Sequence, residues 1–542
     1  MQQNGTGKVG EGATPRVVAG GPLLLFAGFF FLALAVRLPA FAHSVIDQDE
    51  SLYLILANEL LDGHLPGTRL FDYKPLFLFT LFASLQALFA DDIFAIRVLG
   101  VLGAASSAYL LSRISAKVFP GAGVPALAGL LYLVMTVTNG GLATNAEIVL
   151  HPFLLAGALL LLKSLDPGLV SSRAAGFCLA AGFLLGLGYQ IKPVIVFDII
   201  GLFLFAFFLE FSRRRTAAAA LADTLRRGLI SLAGFCVPLI VTILIYALSG
   251  SLDAWRLMLA YSLSGVAQPF ELWRAGNILT GLAPFAFLVP LVGLSAAEMV
   301  ANRGGAGSFV IGGLLAWTAV TSGGIVLAGY YLGHHFLLLA PTLCLVAAHG
   351  LCRAWRRTGL SLGPAPSAAL LALATISMAL LVYPQAYIEA GTVVVKRHQM
   401  QDRDYGDLPR RLASYVMRES VPGEPLFVYG YHPILYYLAA SPVPTRFPFA
   451  DHLAYEYGAN VLTALGFDLA AEIDDTMSRR PRFVILASDR QYRHTAATER
   501  LLSHLERDYE FLGVFMPDRA LTSAFLGAPG GASVYRRKAL TP

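Results

Sequence analysis

About eleven stretches of roughly twenty apolar residues recur along this chain, and no other feature restricts its fold so severely. Gly21 to Ala42 is the first. The others fall at about 95–112, 121–141, 144–162, 174–191, 193–211, 228–249, 277–297, 308–329, 334–352 and 366–387. At about 1.5 Å of rise per residue, each can cross the hydrocarbon core of a bilayer as a helix. Of 542 residues, 56% are apolar and only 14% charged, which excludes a soluble globule and predicts a polytopic α-helical membrane protein.

The basic residues test that count, because short cytoplasmic loops collect lysine and arginine. Every second connection does so: Arg113 and Lys117, then Lys163 and Arg173, then Arg213 to Arg215 with Arg226 and Arg227, then Arg303, then Arg353, Arg356 and Arg357. This pattern puts the amino terminus in the cytoplasm. Residues 1–20, polar and glycine-rich, read as a disordered cytoplasmic tail, although Ala40-Phe41-Ala42 also resembles a signal-peptidase site. Residues 21–389 form the transmembrane domain. Cys178, Cys236, Cys344 and Cys352 lie in or beside apolar runs without metal-ligand spacing and read as small apolar fillers.

Two regions break the pattern. Residues 43–94, the first outer loop, hold two short helices, an amphipathic one over Glu50 to Leu61 and an apolar one over Pro75 to Phe89, suited to lie in the membrane interface and shape a cavity there. From 390 to 542 the composition becomes charged and mixed. Strand-like runs at 425–429, 482–486 and 532–535 and helical stretches at 407–419, 459–478 and 495–508 predict an extracytoplasmic α/β domain.

Chemistry concentrates on the outer face. Asp47, Asp49 and Glu50 crowd three carboxylates into four residues directly after the first span. Capping the next helix needs one acid, so three suggest more than a cap. Lys74, in Asp72-Tyr73-Lys74-Pro75, adds a cation, and acid beside cation at a lipid surface suggests a base with a phosphate holder. Lys192 lies between two spans on the same face, either as an interfacial anchor or as a phosphate ligand. Glu147 opens the fourth span, as cap or functional acid. His334 and His335, in the run that begins at Tyr330, are interfacial histidines or ligands of phosphate or a divalent metal. No glycine-rich phosphate loop, nucleotide fingerprint or zinc cysteine set occurs, and a net charge of +5 gives no reason to expect a nucleic-acid partner.

Asp49-Glu50-x-x-Tyr53, Gly63-His64-Leu65-Pro66, Asp72-Tyr73-Lys74-Pro75, the Gly182 to Pro193 segment and His335-Phe336 with Leu339-Ala340-Pro341 together resemble the GT-C superfamily of integral membrane glycosyltransferases. Within it, the protein O-mannosyltransferase and aminoarabinose or galacturonosyl transferase branch is the nearest likeness. The resemblance implies a GT-C-like fold, a polyprenyl-phosphate-linked sugar as donor, inversion at the anomeric carbon, and an extracytoplasmic glycolipid, lipopolysaccharide or other acceptor at a bacterial inner membrane. It makes Asp49 the base that takes the acceptor proton, its pKa raised by Asp47 beside it. Glu50 orients that base or binds a metal. Lys74 and Lys192 hold the donor phosphate, and Asp47, Tyr53, Asp72, Glu147, His334 and His335 line the substrate site. Tyr73 departs from the acid that aminoarabinose transferases tend to place before the lysine. Two other classes compete: a flippase for a lipid-linked sugar, which predicts inverted repeats and mid-membrane acids, and a non-catalytic scaffold with an outer binding domain.

Overall fold

The computed structural model describes residues 21–119, 124–214, 216–264, 273–329, 331–357, 364–449, 451–488, 495–517 and 531–539. The tail expected at 1–20 and Tyr330 lie outside these residues. Helices α1 (Pro22–Arg37), α2 (Gln48–Leu61), α3 (Leu76–Gln86), α4 (Asp92–Val118), α5 (Val124–Met135), α6 (Ala146–Ser164), α7 (Ser171–Tyr189), α8 (Ile195–Arg214) and α9 (Ala217–Leu248) are followed by α10 (Leu252–Ser264), α11 (Trp273–Leu282), α12 (Val289–Ala301), α13 (Ala306–Ala328), α14 (Ala340–Arg357), α15 (Pro364–Val382) and α16 (Pro384–Met400). A 3-10 segment, Gly333–Leu339, leads into α14. The protein is a multi-pass membrane protein.

Among the described residues, nine helical segments are long and apolar enough to span a membrane. A tenth is added if Ala369–Val382 and Pro384–Met400, which meet at 90°, form one broken span. The sequence predicts about eleven, and two of its runs account for the difference. The run at 121–141 contributes only the 12-residue α5. The chain then turns at Asn139 and Gly140, both with positive φ, and the Arg37 guanidinium donates to the carbonyls of Gly141, Leu142 and Ala143 at 2.5, 2.9 and 3.1 Å. With its carbonyls satisfied by a side chain, this apolar stretch need not be helical. The run at 366–387 breaks at Pro384, which has no N–H to continue a helix.

Both short helices expected between the first two spans are present. Helix α2 starts where Asp47, extended at φ −131°, accepts from the Asp49 N–H. Helix α3 starts after Pro75. Close packing of α7 on α9 fixes the segment that ends in Lys192: a Cβ on Gly182 would sit 1.8 Å from the Ser231 carbonyl oxygen, and one on Gly234 would sit 2.0 Å from that of Leu179. Small residues let these backbones approach.

The C-terminal region starts with α17 (Leu408–Glu419) and contains a four-stranded sheet of β1 (Leu426–Tyr429), β2 (Phe483–Ala487), β3 (Tyr509–Phe515) and β4 (Ala532–Arg537), in the order β1-β2-β4-β3. Strands β1 and β2 are parallel, Leu426 facing Phe483, and the other pairings are antiparallel. Both parallel strands are wholly buried apolar runs, as expected of strands covered on two faces. Strand β3, with its largely exposed residues, carries no such pattern and is missing from the sequence reading. The helix predicted over 459–478 is two, Glu456–Ala464 and Leu469–Ser478, separated at Gly466 with φ +92°.

Candidate active site

The cluster is built on the start of α2. Capping by Asp47 leaves Asp49 one turn below Tyr53, whose hydroxyl donates to Asp49 Oδ2 at 2.9 Å. Tyr53 is held edge-on against Phe79 and Phe82 of α3. The chain between the two helices brings in Lys74, nearly buried, with its Nζ 3.8 Å from Asp49 and 3.5 Å from Asp72. That ammonium also lies over the rings of Tyr53 and Tyr73, at 5.0 and 4.7 Å from their centroids, a favourable placement for a desolvated cation. A second group meets the first from distant sequence. Lys192 is ion-paired with Glu147 at the start of α6, His334 Nδ1 lies 3.7 Å from Asp47 Oδ2, and the rings of His334 and His335 pack edge to face at 4.7 Å. Asn145, just before α6, donates to Asp47 at 3.4 Å.

These neighbours divide the two aspartates. For Asp47, burial is the main influence and pushes the carboxyl up to about 6, opposed by His334 and reinforced by Asp49. Burial also acts upward on Asp49, but Lys74, His334 and Lys192 outweigh it and hold that carboxyl at about 2. The expectation that Asp47 raises Asp49 is therefore reversed: three cations around Asp49 count for more than one anion. Burial raises Asp72 as well. It opposes the charge on Lys74, yet Asp49 and Asp72 raise that group overall.

Glu50 requires a second correction. It is fully buried and turned away from this cluster. One oxygen accepts from Ile46 N at 2.7 Å, and the other accepts from Arg97 at 2.5 Å and Thr144 N at 2.9 Å. With both oxygens occupied it has no ligand position to offer, and it anchors α2 to α4. Arg97, at the outer end of the second span, stands where the sequence allows it to pair with the acids, and Glu50 is the acid it meets.

Glu147, His334 and His335 could hold a metal: one potential ligand atom from each lies within 4.8 Å of the others, all three residues buried. Glu147 Oε2 has no hydrogen-bond partner among the described residues. Two imidazoles and a carboxylate suit zinc or a similar divalent ion, although such an ion would share Glu147 with Lys192.

The structure also brings in residues that the sequence did not single out. Tyr261 of α10 stacks on Tyr73 at 5.2 Å, and its hydroxyl meets His452 Nδ1 at 2.9 Å. The C-terminal region thus reaches the loop that carries Lys74. An open cleft of about 440 Å³, bounded by Arg446, Phe467, Glu472 and Arg479 among others, lies elsewhere on that region and shares no residue with the acid–lysine cluster.

Comparison with known proteins places this arrangement. The family model described as dolichyl-phosphate-mannose-protein mannosyltransferase matches residues 73–241, a span that includes Lys74, Glu147 and Lys192. Among solved structures, ArnT from Cupriavidus metallidurans bound to undecaprenyl phosphate aligns over 96% of this chain and 99% of its own, with a TM-score of 0.59 and 13% identity. At that identity the likeness is one of fold. A further alignment is to the archaeal oligosaccharyltransferase AglB from Archaeoglobus fulgidus in complex with an inhibitory peptide and a dolichol-phosphate. It covers 93% of this chain and 77% of that one, with a TM-score of 0.51 and 13% identity. At such identities the likeness concerns fold, and the candidate site of this chain rests on its own geometry. No curated protein sequence matches.

Proposed function

We propose that this protein is an inverting glycosyltransferase that moves a sugar from a polyprenyl-phosphate donor to an alcohol on an extracytoplasmic acceptor. The observation that carries the reading is the meeting of Asp49, Lys74 and the Lys192–Glu147 pair, brought together from residues far apart in sequence, where the helix bundle meets its interfacial helices. In the reaction the acceptor O–H bond breaks and its proton passes to an Asp49 oxygen. The acceptor oxygen bonds to the anomeric carbon as that carbon's bond to the phosphate oxygen breaks. The electron pair leaves with the lipid phosphate. Lys74 and Lys192, already positioned, stabilise that charge without reorganisation.

An Asp49 held near 2 is fully ionised at neutral pH but weakly basic. The same cations that depress it are the ones a bound phosphate would neutralise, so donor binding raises its basicity where the proton must be taken. Asp47, at about 6, is already closer to the basicity that suits neutral pH, and this favours a second reading in which it is the base. Tyr53 orients Asp49, and Asp72 fixes Lys74. His334 and His335 complete the phosphate site or hold a divalent ion beside it. The positive-inside pattern supports a cytoplasmic amino terminus and an outer C-terminal domain of residues 390–542; the family resemblance alone points to a bacterial inner membrane and a glycolipid or lipopolysaccharide acceptor.

Purified protein incubated with radiolabelled polyprenyl-phosphate sugars and candidate acceptors tests the reading. Transfer by the wild type that is lost in Asp49→Asn supports it, and equal turnover removes Asp49 as base. Loss in Asp47→Asn alone would assign the proton to Asp47. Movement of the intact donor across liposomes, with no transfer, would replace the enzyme by a flippase.

A further inference from the structure

The acid-bearing segment is held from two sides, and one of them is the C-terminal region. Arg97 of α4 donates to the carbonyls of His43 and Ser44, at 3.3 and 3.4 Å, and to Glu50. From the opposite side comes Asp407, the residue that caps α17. Its carboxylate accepts from the Ser44 N–H and from the Ser44 hydroxyl, each at 2.7 Å, across 363 residues of chain. Asp407 is buried, and Arg397 and Arg410 lie 3.7 and 3.4 Å from it. Ser44 is itself buried, and only Val45 and Ile46 separate it from Asp47. The other end of the loop is tied to the same region, where Phe71 N–H donates to the Arg446 carbonyl at 2.7 Å.

One polar contact in a loop is ordinary; this one is not a surface contact. A carboxylate flanked by two guanidinium groups spends two hydrogen bonds on a single serine. With Arg97 on its carbonyl, that serine has its amide, hydroxyl and carbonyl all engaged, which leaves the backbone before Asp47 one path. We propose that Asp407 is a positioning residue: through Ser44 it sets the backbone from which Asp47 and Asp49 are presented to Lys74 and His334. It touches no substrate. The proposal assigns the C-terminal region a part in the chemistry of the site, and it rests on the glycosyl-transfer reading for its rate measurement only.

The test compares Ser44→Ala, Asp407→Asn, Asp407→Ala and the double variant Ser44→Ala/Asp407→Ala in the full-length protein. Ser44→Ala keeps the cap of α17 and its arginine pairs, so it isolates the link even if Asp407→Ala fails to fold. Transfer assays are expected to give a kcat lowered on the order of tenfold or more in Ser44→Ala, because small misplacements of reacting groups are costly, with the donor KM unchanged. Asp407→Asn should retain more activity than Asp407→Ala, and the double variant should be no slower than Asp407→Ala. Hydrogen–deuterium exchange supplies a readout that needs no activity: amides of residues 43–49 should exchange faster in Ser44→Ala while those of β1 and β2 do not change. Unchanged exchange in 43–49 overturns the proposal whatever the protein catalyses. So does a Ser44→Ala loss that simply multiplies with that of Asp407→Ala. Faster exchange in a protein whose wild type transfers no sugar would leave the positioning link standing and remove the enzymatic reading.

Discussion

Glu50 and Asp49 are neighbours in sequence with opposite fates. Glu50 faces the helix bundle, fully buried, at 2.5 Å from Arg97 and bonded to two backbone amides. Asp49 faces the cluster, partly accessible, with one tyrosine hydroxyl at bonding distance and a lysine at 3.8 Å. The first carboxylate has no capacity left, and the second has an oxygen to spare. A satisfied buried pair holds a fold together, whereas a loosely satisfied one beside shared cations can take a proton or meet a ligand.

That contrast can be broken by exchange. The largest effect expected is on turnover: Asp49→Asn should lower sugar transfer by roughly 10²- to 10⁴-fold, the usual worth of a positioned base, with little change in the thermal unfolding midpoint. Arg97→Ala should act chiefly on stability, with a smaller loss of turnover because it also releases the Ser44 carbonyl. It leaves Glu50 buried without its partner, a loss of about 3–5 kcal/mol, to be read as a lowered midpoint or failed expression in detergent. An equal loss of stability from both variants would erase the distinction.

Lys74→Ala and Lys192→Ala come next. Each removes a charged donor worth about 1.5–3 kcal/mol, so the donor KM should rise roughly ten- to a hundredfold with the acceptor KM unchanged. A rise in the acceptor KM instead would reassign the lysines. The smallest effect concerns pH. Asp47, at about 6, lies above its ordinary value of 3.8, so the folded protein keeps a proton that the unfolded chain has released. The stability this contributes is present below about pH 4 and is lost as pH rises through about 6, and Asp47→Asn should flatten that slope in unfolding scans. If the ionised form of Asp47 is needed, activity falls below about pH 6 and that acid limb disappears from the residual activity of the variant.

Much of this was legible because apolar length and period dominate a membrane chain. The two short helices after the first span, the span that opens with Glu147, the spans on either side of Lys192, and three of the four strands follow from such patterns. The run at 121–141 did not, because its hydropathy describes a helix while Arg37, remote in sequence, supplies the bonds that let it turn. The role of Glu50 was misread for a related reason: a triplet of acids does not reveal which one meets an arginine 47 residues away. Strand β3 was missed because it begins at Tyr509, directly after a helix that ends at Asp508, with no glycine or proline to mark the boundary.

Residue order alone determined that this protein lives in a membrane, that its acids gather near the first span, and that a mixed α/β region follows, since hydrophobic burial and helix length act locally along a chain. Tertiary structure decided which acid pairs with Arg97 and which meets Lys74, that Lys192 and His334 lie near enough to act on the charge of Asp49, and that Ser44 rests on Asp407. Electrostatics and hydrogen bonding depend on distance in space, and no stretch of sequence carries that distance.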